Sequence, residues 1–268
     1  MDHSRYSVNC SMIFTELDLL ERPRAAAAAG FSAVEFWWPF AAACPPSREV
    51  DDFVRAINDA GVLLSGLNLF AGDMSAGERG ILSLPTRGRE FTDNIPVIQH
   101  LAEVTGCRVF NALYGNRVSD ESPEAQDAVA LERLADLASF TKTTGAEVVL
   151  EPLSAVPSYP LLNALQAISV IDALRASGAA TKVKLLADFY HLAVNGDDVS
   201  NVIRTFGSYI GHVQIADAPG RNEPGTGELP IASWLEELTT SGYTGRIGLE
   251  YRPRSTSVDS FTWLETMA

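Results

Sequence analysis

Short apolar runs alternate along the chain with longer segments in which apolar residues recur every three or four positions. The short runs have the length of buried strands, and the longer segments have the period of amphipathic helices. Several helical segments end at a glycine, as helices closed by a left-handed residue do. The pattern predicts strands at Ser7–Ser11, Ala33–Trp37, Leu63–Phe70, Arg108–Leu113, Glu147–Glu151, Lys184–Asp188, His212–Ala216 and Arg246–Tyr251.

Strands that are separated by helices pair in parallel, because each crossover returns the chain to the same edge of the sheet. Eight such units favour a closed barrel over an open doubly wound sheet. The sequence therefore predicts an α/β fold, a single (β/α)8 TIM barrel that forms one domain over residues 1–268. The connection at about 71–91 is rich in glycine, proline and charge, and we expect it to act as a lid, since such loops form the active face.

Composition narrows the function. The chain is 46% hydrophobic and 20% charged, which fits a globular protein, and no apolar run approaches the length of a membrane span. The N-terminus lacks the pattern of a secretory signal, and the three cysteines form no CxxC pair, so we expect a cytoplasmic protein. A net charge of −14 disfavours nucleic acid as a partner. Homo-oligomerisation stays open, because the aromatic segment AVEFWWPF fits a pocket wall, packing against a neighbouring loop or a subunit contact.

Oxygen-bearing side chains stand at the ends of four successive predicted strands, where barrel enzymes place their catalytic groups. Ionised carboxylates are costly on apolar strands unless a cation neutralises them. A lone acid at such a position is also typical of a helix N-cap, so the prediction depends on the set. Because every ligand offers oxygen, Mg²⁺ or Mn²⁺ is favoured over zinc. The predicted metal ligands are Glu151, Asp188, Gln214 and Glu250.

The segments around these positions resemble the hydroxypyruvate isomerase family of the xylose isomerase-like barrels. The resemblance runs from Asn9 to Pro253, and its most specific stretch is GHVQIADAPGRNEPGTGE; the others are NCSMIFTELDLLER, AVEFWWP, AGDMSAGERG, LPTRGREF, EPL, ADFYHL and GLEYRP. It implies the same four metal ligands, with Glu151 and Glu250 also serving as the acid–base pair. It further implies a small carboxylate substrate, hydroxypyruvate, converted to tartronate semialdehyde (2-hydroxy-3-oxopropanoate) in glyoxylate-type metabolism.

That reaction moves a hydrogen between adjacent carbons and exchanges a ketone for an aldehyde. A metal that bridges the carbonyl and hydroxyl oxygens acidifies the C–H bond and stabilises an enediolate. One carboxylate must remove the proton and another must deliver it to the neighbouring carbon. Glu151 and Glu250 suit these roles, because they end well-separated strands. Which of them acts first is open.

Three arginines are candidates for binding the substrate carboxylate in this acidic protein. Arg221, in PGRNEPGTGE, is the first choice, because a guanidinium grips a carboxylate with two hydrogen bonds. Arg79, in the expected lid, either closes over the anion or forms a surface ion pair. Arg252 follows Glu250 closely and is expected to neutralise the acidic cluster; the family often has lysine there.

Other polar residues are expected to support the site. His191 either polarises a substrate oxygen, orients Glu151 or has a purely structural role. Glu35 either steers His191 or pairs with an arginine, and His212 is interpreted as packing or as a supporting partner. Glu228 is expected to fix the turn before the last helix.

Two departures from the family leave the substrate open. Ser154 stands where the family usually has asparagine, and Ala193 stands where it usually has glutamine. A four-carbon acid, 2-oxo-tetronate, is therefore an alternative substrate. A ketose 3-epimerase or sugar isomerase is a further alternative, although those enzymes normally present histidine in place of Gln214.

Two other classes of protein are disfavoured. An endonuclease-IV-like nuclease needs a cluster of metals and more histidines than the four present. Two of those four, His3 and His100, fall outside the ends of the predicted strands. A barrel that binds a metal without catalysis is also conceivable, and it predicts stabilisation by metal without turnover.

Overall fold

A computed structural model describes residues 3–265, and its core is a closed barrel of eight parallel strands in sequential order. The predicted (β/α)8 TIM barrel is confirmed. Every predicted strand overlaps an observed one, with ends that differ by a few residues. The strands are β1 (Tyr6–Asn9), β2 (Ala33–Phe36), β3 (Leu63–Asn68), β4 (Val109–Asn111), β5 (Glu147–Leu150), β6 (Val183–Asp188), β7 (Ile210–Ile215) and β8 (Ile247–Leu249).

Helices connect the strands and cover the barrel. As the sequence pattern predicts, α2, α3 and α5 each end at a glycine with positive φ. Within residues 3–265, no helix combines the length and the hydropathy that crossing a membrane requires. The helices are α1 (Arg22–Ala28), α2 (Ser47–Ala60), α3 (Gly88–Thr105), α4 (Pro123–Asp136), α5 (Ala138–Thr144), α6 (Ala164–Ala176), α7 (Phe189–Val194), α8 (Val199–Phe206) and α9 (Ile231–Thr240).

The register of the strands sets which side chains meet inside the barrel. Parallel pairing of β6 with β7 places Asp188 opposite Gln214, and pairing of β7 with β8 places Gln214 opposite Gly248. The chain then continues for two residues from Gly248 to Glu250. Because all strands run in the same direction, their carboxyl ends gather acidic and amide side chains at one mouth of the barrel.

The connection over residues 71–91 is only partly exposed. Residues 81–84 are buried, and Arg133 of α4 donates hydrogen bonds to the carbonyl oxygens of Ile81 and Leu82, at 2.6 and 3.2 Å. Gly80 lies so close to the next loop that a Cβ there would be 2.0 Å from the carbonyl oxygen of Leu113. Apart from residues 86 and 89, the exposed residues of the connection lie at 73 and at 75–77. We therefore narrow the proposed lid to residues 73–79.

Candidate active site

The four predicted metal ligands are buried side chains at the carboxyl end of the barrel. Glu151 directly follows β5, Asp188 ends β6, Gln214 lies in β7 and Glu250 directly follows β8. The structure thus brings the four residues to one mouth of the barrel, although they are spread over a hundred positions of sequence.

Asp188 has two separate roles, one for each carboxylate oxygen. Its Oδ1 accepts the backbone N–H groups of Tyr190 and His191, at 2.8 and 3.3 Å, and so caps the N-terminus of α7. Its Oδ2 lies 3.0 Å from Nη2 of Arg221. Asp188 is therefore a helix cap through one oxygen, while its other oxygen faces the acidic cluster, and its role as a metal ligand stays a prediction.

Each of the two glutamates is oriented by one neutral donor. Asn111, at the end of β4, donates from Nδ2 to Oε2 of Glu151 at 2.7 Å. The indole Nε1 of Trp37 donates to Oε1 of Glu250 at 3.0 Å. Asn111 was not predicted from the sequence, although it stands at a strand end like the four predicted ligands. Trp37 was expected to line a pocket, pack against a neighbouring loop or form a subunit contact, and not to orient a glutamate.

Arg221 partly neutralises the acidic cluster. Its Nη2 lies 2.8 Å from Oε1 of Glu250 and 3.0 Å from Oδ2 of Asp188, and its guanidinium lies 5.3 Å from the centre of the Tyr190 ring. From the sequence we expected Arg252 to neutralise the cluster, and that expectation is wrong. Arg252 is exposed, whereas the left-handed backbone of Arg221 (φ 56°) returns its side chain to the acids.

Asp217 holds the loop that carries Arg221. Its two carboxylate oxygens accept four backbone N–H groups at 2.8 to 3.1 Å, from Ala218, Gly225, Gly227 and Leu229. We expected Glu228 to fix this turn, but its side chain is exposed and only its backbone N–H contributes, donating to the Ala218 oxygen at 2.8 Å. A buried carboxylate satisfies several donors at once, which an exposed side chain does not.

Burial dominates the electrostatics of the two glutamates. Burial raises the pKa of Glu151, and the negative charges of Glu250 and Asp188 raise it further. Burial also raises the pKa of Glu250, to about 7, although the Arg221 guanidinium opposes the shift. The pKa of Arg221 itself is raised, because the three carboxylates outweigh the lowering that burial causes. Near neutral pH the cluster therefore favours either bound protons or a bound cation.

This gives a pH-dependent expectation. The pKa of Glu250 in the folded protein lies above its ordinary value, so protonation of Glu250 favours the folded state. This contribution to the free energy of unfolding is present at low pH and is lost as the pH rises through about 7. We expect the melting temperature of chelator-treated protein to fall between pH 5 and 8, measured by calorimetry. Added Mg²⁺ should raise it more at pH 8 than at pH 5, because ligands bind metal when deprotonated. An equal rise in melting temperature on addition of Mg²⁺ at pH 5 and at pH 8 would contradict this expectation. The control variant is Glu250→Gln, which should weaken the pH dependence of the melting temperature.

His191 faces the site with one ring nitrogen. Its Nδ1 accepts the backbone N–H of Ser154 at 3.0 Å, and it lies 2.7 Å from the Ser154 hydroxyl. Burial lowers the pKa of His191 to about 4, so the ring is neutral near pH 7 and its proton belongs on Nε2. Nε2 lies 3.9 Å from Oε1 of Glu151, too far for the hydrogen bond through which His191 was expected to orient that carboxylate.

The side chains present fit a divalent cation. Ligand atoms of Glu151, Asp188 and His191 all lie within 4.8 Å of one another and are buried. The amide oxygen Oε1 of Gln214 is buried and has no hydrogen-bond partner within residues 3–265. Unpaired buried oxygens are rare in proteins, and carboxylate and amide oxygens are the donors that Mg²⁺ and Mn²⁺ prefer. Because Nδ1 of His191 is an acceptor, its Nε2 is better suited to donate a hydrogen bond than to bind a metal.

Glu35 lies deeper in the barrel than expected. Its Oε2 lies 2.7 Å from Nε2 of His212, and its Oε1 accepts a hydrogen bond from the Ser7 hydroxyl at 3.3 Å. The expectation that Glu35 steers His191 or pairs with an arginine is wrong, because its side chain points across the barrel to β7. His212 is accordingly a supporting partner, one of the two roles considered for it.

A cavity of about 540 Å³ opens above the carboxylates. Its wall includes Trp37, Tyr190 and the three arginines that were expected to bind substrate, Arg79, Arg221 and Arg252. Of the two departures from the family, Ser154 lines this cavity, whereas Ala193 packs against the core. Nη1 of Arg79 donates to carbonyl oxygens of its own loop, at 2.7 and 2.9 Å. The roles of these arginines toward a substrate stay predictions.

Comparison with known proteins agrees with this architecture. The sequence model of the xylose isomerase-like TIM barrel matches residues 23–267. A Streptomyces coelicolor protein named "Putative hydroxypyruvate isomerase" is 47% identical over 97% of this chain and 95% of its own length. The hydroxypyruvate isomerase of Escherichia coli is 31% identical over 97% and 98% of the two chains. A 2-oxo-tetronate isomerase of Cupriavidus necator is 36% identical over 97% of both.

A solved structure has the same architecture. The structure titled AP endonuclease, family 2, from Brucella melitensis superposes with a TM-score of 0.88. It is 30% identical in sequence, and the match covers 98% of each chain. The barrel fold of this chain is thus also found in a solved structure of another protein.

Proposed function

The chain belongs to the xylose isomerase-like TIM barrel family and is an isomerase, and we propose that it converts hydroxypyruvate to tartronate semialdehyde with the aid of a bound divalent cation. The observation that carries the proposal is the buried cluster of three carboxylates, of which Glu151 and Glu250 line an open cavity. Gln214 pairs in register with Asp188, and its amide oxygen has no hydrogen-bond partner within residues 3–265. Such a cluster is costly to bury without a function that uses its charge.

Glu151, Asp188, Gln214 and Glu250 would hold the cation, and their oxygen atoms favour Mg²⁺ or Mn²⁺. When bound, the cation supplies a Lewis acid that polarises the substrate oxygens and makes the C–H bond more acidic. Asn111 and Trp37 fix one oxygen of Glu151 and of Glu250, respectively, which leaves the second oxygen of each carboxylate for the cation or the substrate.

Glu151 and Glu250 perform the proton transfers. One carboxylate removes a proton from C3 of hydroxypyruvate, the C3 hydroxyl proton passes to the C2 oxygen, and the other glutamate delivers a proton to C2. No oxidant or reductant is needed, because the substrate and the product are isomers. The raised pKa values of both glutamates suit groups that must accept and release protons near neutral pH. β6 and β7 separate the strands that carry them, so they approach the substrate from two sides.

Other side chains bind and orient the substrate. Nε2–H of His191 is aimed into the cavity as a donor to a substrate oxygen, and Ser154 holds the ring in place. The substrate carboxylate binds near Arg221, Arg79 and Arg252, whose positive charges line the same cavity. Residues 73–79 then close over the bound acid and exclude water.

A second candidate substrate is 2-oxo-tetronate. A cavity of about 540 Å³ accommodates a four-carbon acid as readily as a three-carbon acid. A relative of comparable identity is a 2-oxo-tetronate isomerase, and Ser154 changes the wall of the cavity. Free ketoses are the third class, because sugar isomerases and epimerases share this barrel.

Steady-state kinetics with the three substrate classes tests this order. We expect kcat/KM to be highest for hydroxypyruvate and lower for 2-oxo-tetronate. For D-fructose, a ketose, we expect kcat/KM to be about a hundredfold or more below the value for hydroxypyruvate. Ketoses lack the carboxylate that the three arginines would bind, and charge-assisted contacts of this kind contribute strongly to binding. A preference for 2-oxo-tetronate makes the second candidate correct. A preference for ketoses contradicts both acid assignments.

A further inference from the structure

A second polar layer lies inside the barrel, beneath the proposed metal ligands. It consists of Ser7, Glu35, His212 and the amide nitrogen of Gln214, and we call it the Glu35 cluster. The side chains of Ser7, Glu35, His212 and Gln214 are all buried. None of the catalytic steps proposed above uses Ser7, Glu35 or His212.

Hydrogen-bond chemistry fixes the orientation of Gln214. Nε2 of Gln214 donates to Oε2 of Glu35 at 3.3 Å, and the same oxygen lies 2.7 Å from Nε2 of His212. A carboxylate oxygen accepts hydrogen bonds but has none to donate, so it pairs with the nitrogen of an amide and not with its oxygen. The two polar atoms of an amide point in different directions. Oε1 of Gln214 is therefore left facing away from Glu35, buried and without a partner within residues 3–265.

Two glycines make room for Glu35. A Cβ at Gly248 of β8 would lie 1.9 Å from Oε1 of Glu35 and 2.8 Å from Cγ of Gln214. A Cβ at Gly66 of β3 would lie 3.0 Å from Oε2 of Glu35. Any side chain at either position would crowd the carboxylate, so the barrel interior leaves this space to Glu35.

We propose that Glu35 is a positioning residue that holds the Gln214 amide with its oxygen presented to the bound cation. The proposal rests on the proposed metal site and adds to it the reason why a glutamine serves as a ligand there. An unsupported amide could rotate and present its N–H₂ group, which repels a cation. Residues that support metal ligands in this way typically change metal affinity by about ten- to a hundredfold when they are removed.

Binding of Mn²⁺ to the apo protein, followed by the electron paramagnetic resonance of free Mn²⁺, tests the proposal without reference to activity. Glu35→Met keeps the size of the side chain and removes the acceptor, and we expect it to raise the Kd for Mn²⁺ about tenfold or more. Glu35→Gln keeps one oxygen that accepts the Gln214 N–H, and we expect a Kd within about threefold of the wild-type value, since the amide orientation is retained.

Two further variants separate positioning from a general loss of structure. Ser7→Ala removes the hydrogen bond to Oε1 of Glu35 and leaves the contacts of Oε2 with Gln214 and His212, so we expect the Mn²⁺ affinity to stay unchanged. Gly66→Ala keeps every polar group and crowds Oε2 of Glu35, so we expect weaker binding. If Glu35→Met does not fold, as judged by circular dichroism in EDTA, Gly66→Ala carries the test.

The possible results lead to different conclusions. Wild-type affinity in Glu35→Met, or in Gly66→Ala where that variant carries the test, overturns the positioning role and leaves the metal site intact. An equal loss in Glu35→Gln and Glu35→Met also overturns it, because charge and not amide orientation would then be responsible. Failure of the wild-type protein to bind Mn²⁺ refutes the metal site itself, and the role of Glu35 with it. A loss in Glu35→Met that Glu35→Gln restores supports the proposal.

Discussion

Glu151→Gln and Glu250→Gln are each expected to lower kcat for hydroxypyruvate by about a thousandfold, within the range for loss of a positioned acid or base. Each substitution retains an amide oxygen that a cation can bind, but it removes the group that accepts and returns the proton. The two steps of the isomerisation need different glutamates, so either substitution alone should stop turnover. Rates are measured at saturating Mg²⁺, so that weaker metal binding does not account for the loss.

The control for this experiment is Glu147→Gln. Glu147 lies at the start of β5, the strand that Glu151 directly follows, and it pairs with Lys184 at 3.3 Å near the other end of the barrel. We expect that variant to retain kcat within about twofold, as substitutions away from sites usually do. If Glu151→Gln or Glu250→Gln kept a kcat within tenfold of the wild-type value at saturating Mg²⁺, that glutamate would not be one of the two proton-transfer groups.

The fold was predictable because its signals are local. Strand length, helical period and terminal glycines each depend on neighbouring residues, and eight repeats of the same unit leave few other topologies. That the four candidate ligands lie together followed from the topology, because the ends of parallel strands meet at one mouth of a barrel. Glu151, Asp188, Gln214 and Glu250 could thus be chosen as a group without knowledge of any contact.

Specific pairings were not predictable, because they cross the barrel between distant parts of the chain. Glu35 and His212 are 177 positions apart, and which of two histidines faces Glu35 depends on the depth of each side chain in the barrel. Arg221 reaches the acids through a left-handed residue in a loop, which no periodicity indicates. Asn111 could have been found by treating every polar strand end alike, not only the acidic ones.

The burial of part of the connection over residues 71–91, which we expected to act as a lid, was unpredictable for the same reason. The composition of residues 71–91 indicated a long loop, but burial of 81–84 depends on Arg133, which lies on another helix. A buried arginine that satisfies backbone carbonyl oxygens is a tertiary contact, and the sequence around position 133 shows only an ordinary amphipathic helix.

Removal of the bound cation is the second change that we expect to lower turnover strongly, after substitution of the two glutamates. Without it, the carboxylates repel one another, the substrate oxygens lose their Lewis acid, and the C–H bond stays weakly acidic. We expect prolonged treatment with EDTA, followed by its removal, to lower turnover by about a thousandfold or more, and Mg²⁺ or Mn²⁺ to restore it. Ca²⁺, which is larger and accepts more ligands, should restore less.

The most direct test of the proposed function is therefore proton NMR of hydroxypyruvate incubated with the metal-free and the metal-restored enzyme in the same buffer. The proposed mechanism predicts that tartronate semialdehyde forms only after Mg²⁺ or Mn²⁺ is returned, and that Glu151→Gln and Glu250→Gln remain inactive when metal is present. Equal turnover before and after metal is returned, or no turnover of hydroxypyruvate by the metal-loaded wild-type enzyme, would contradict it.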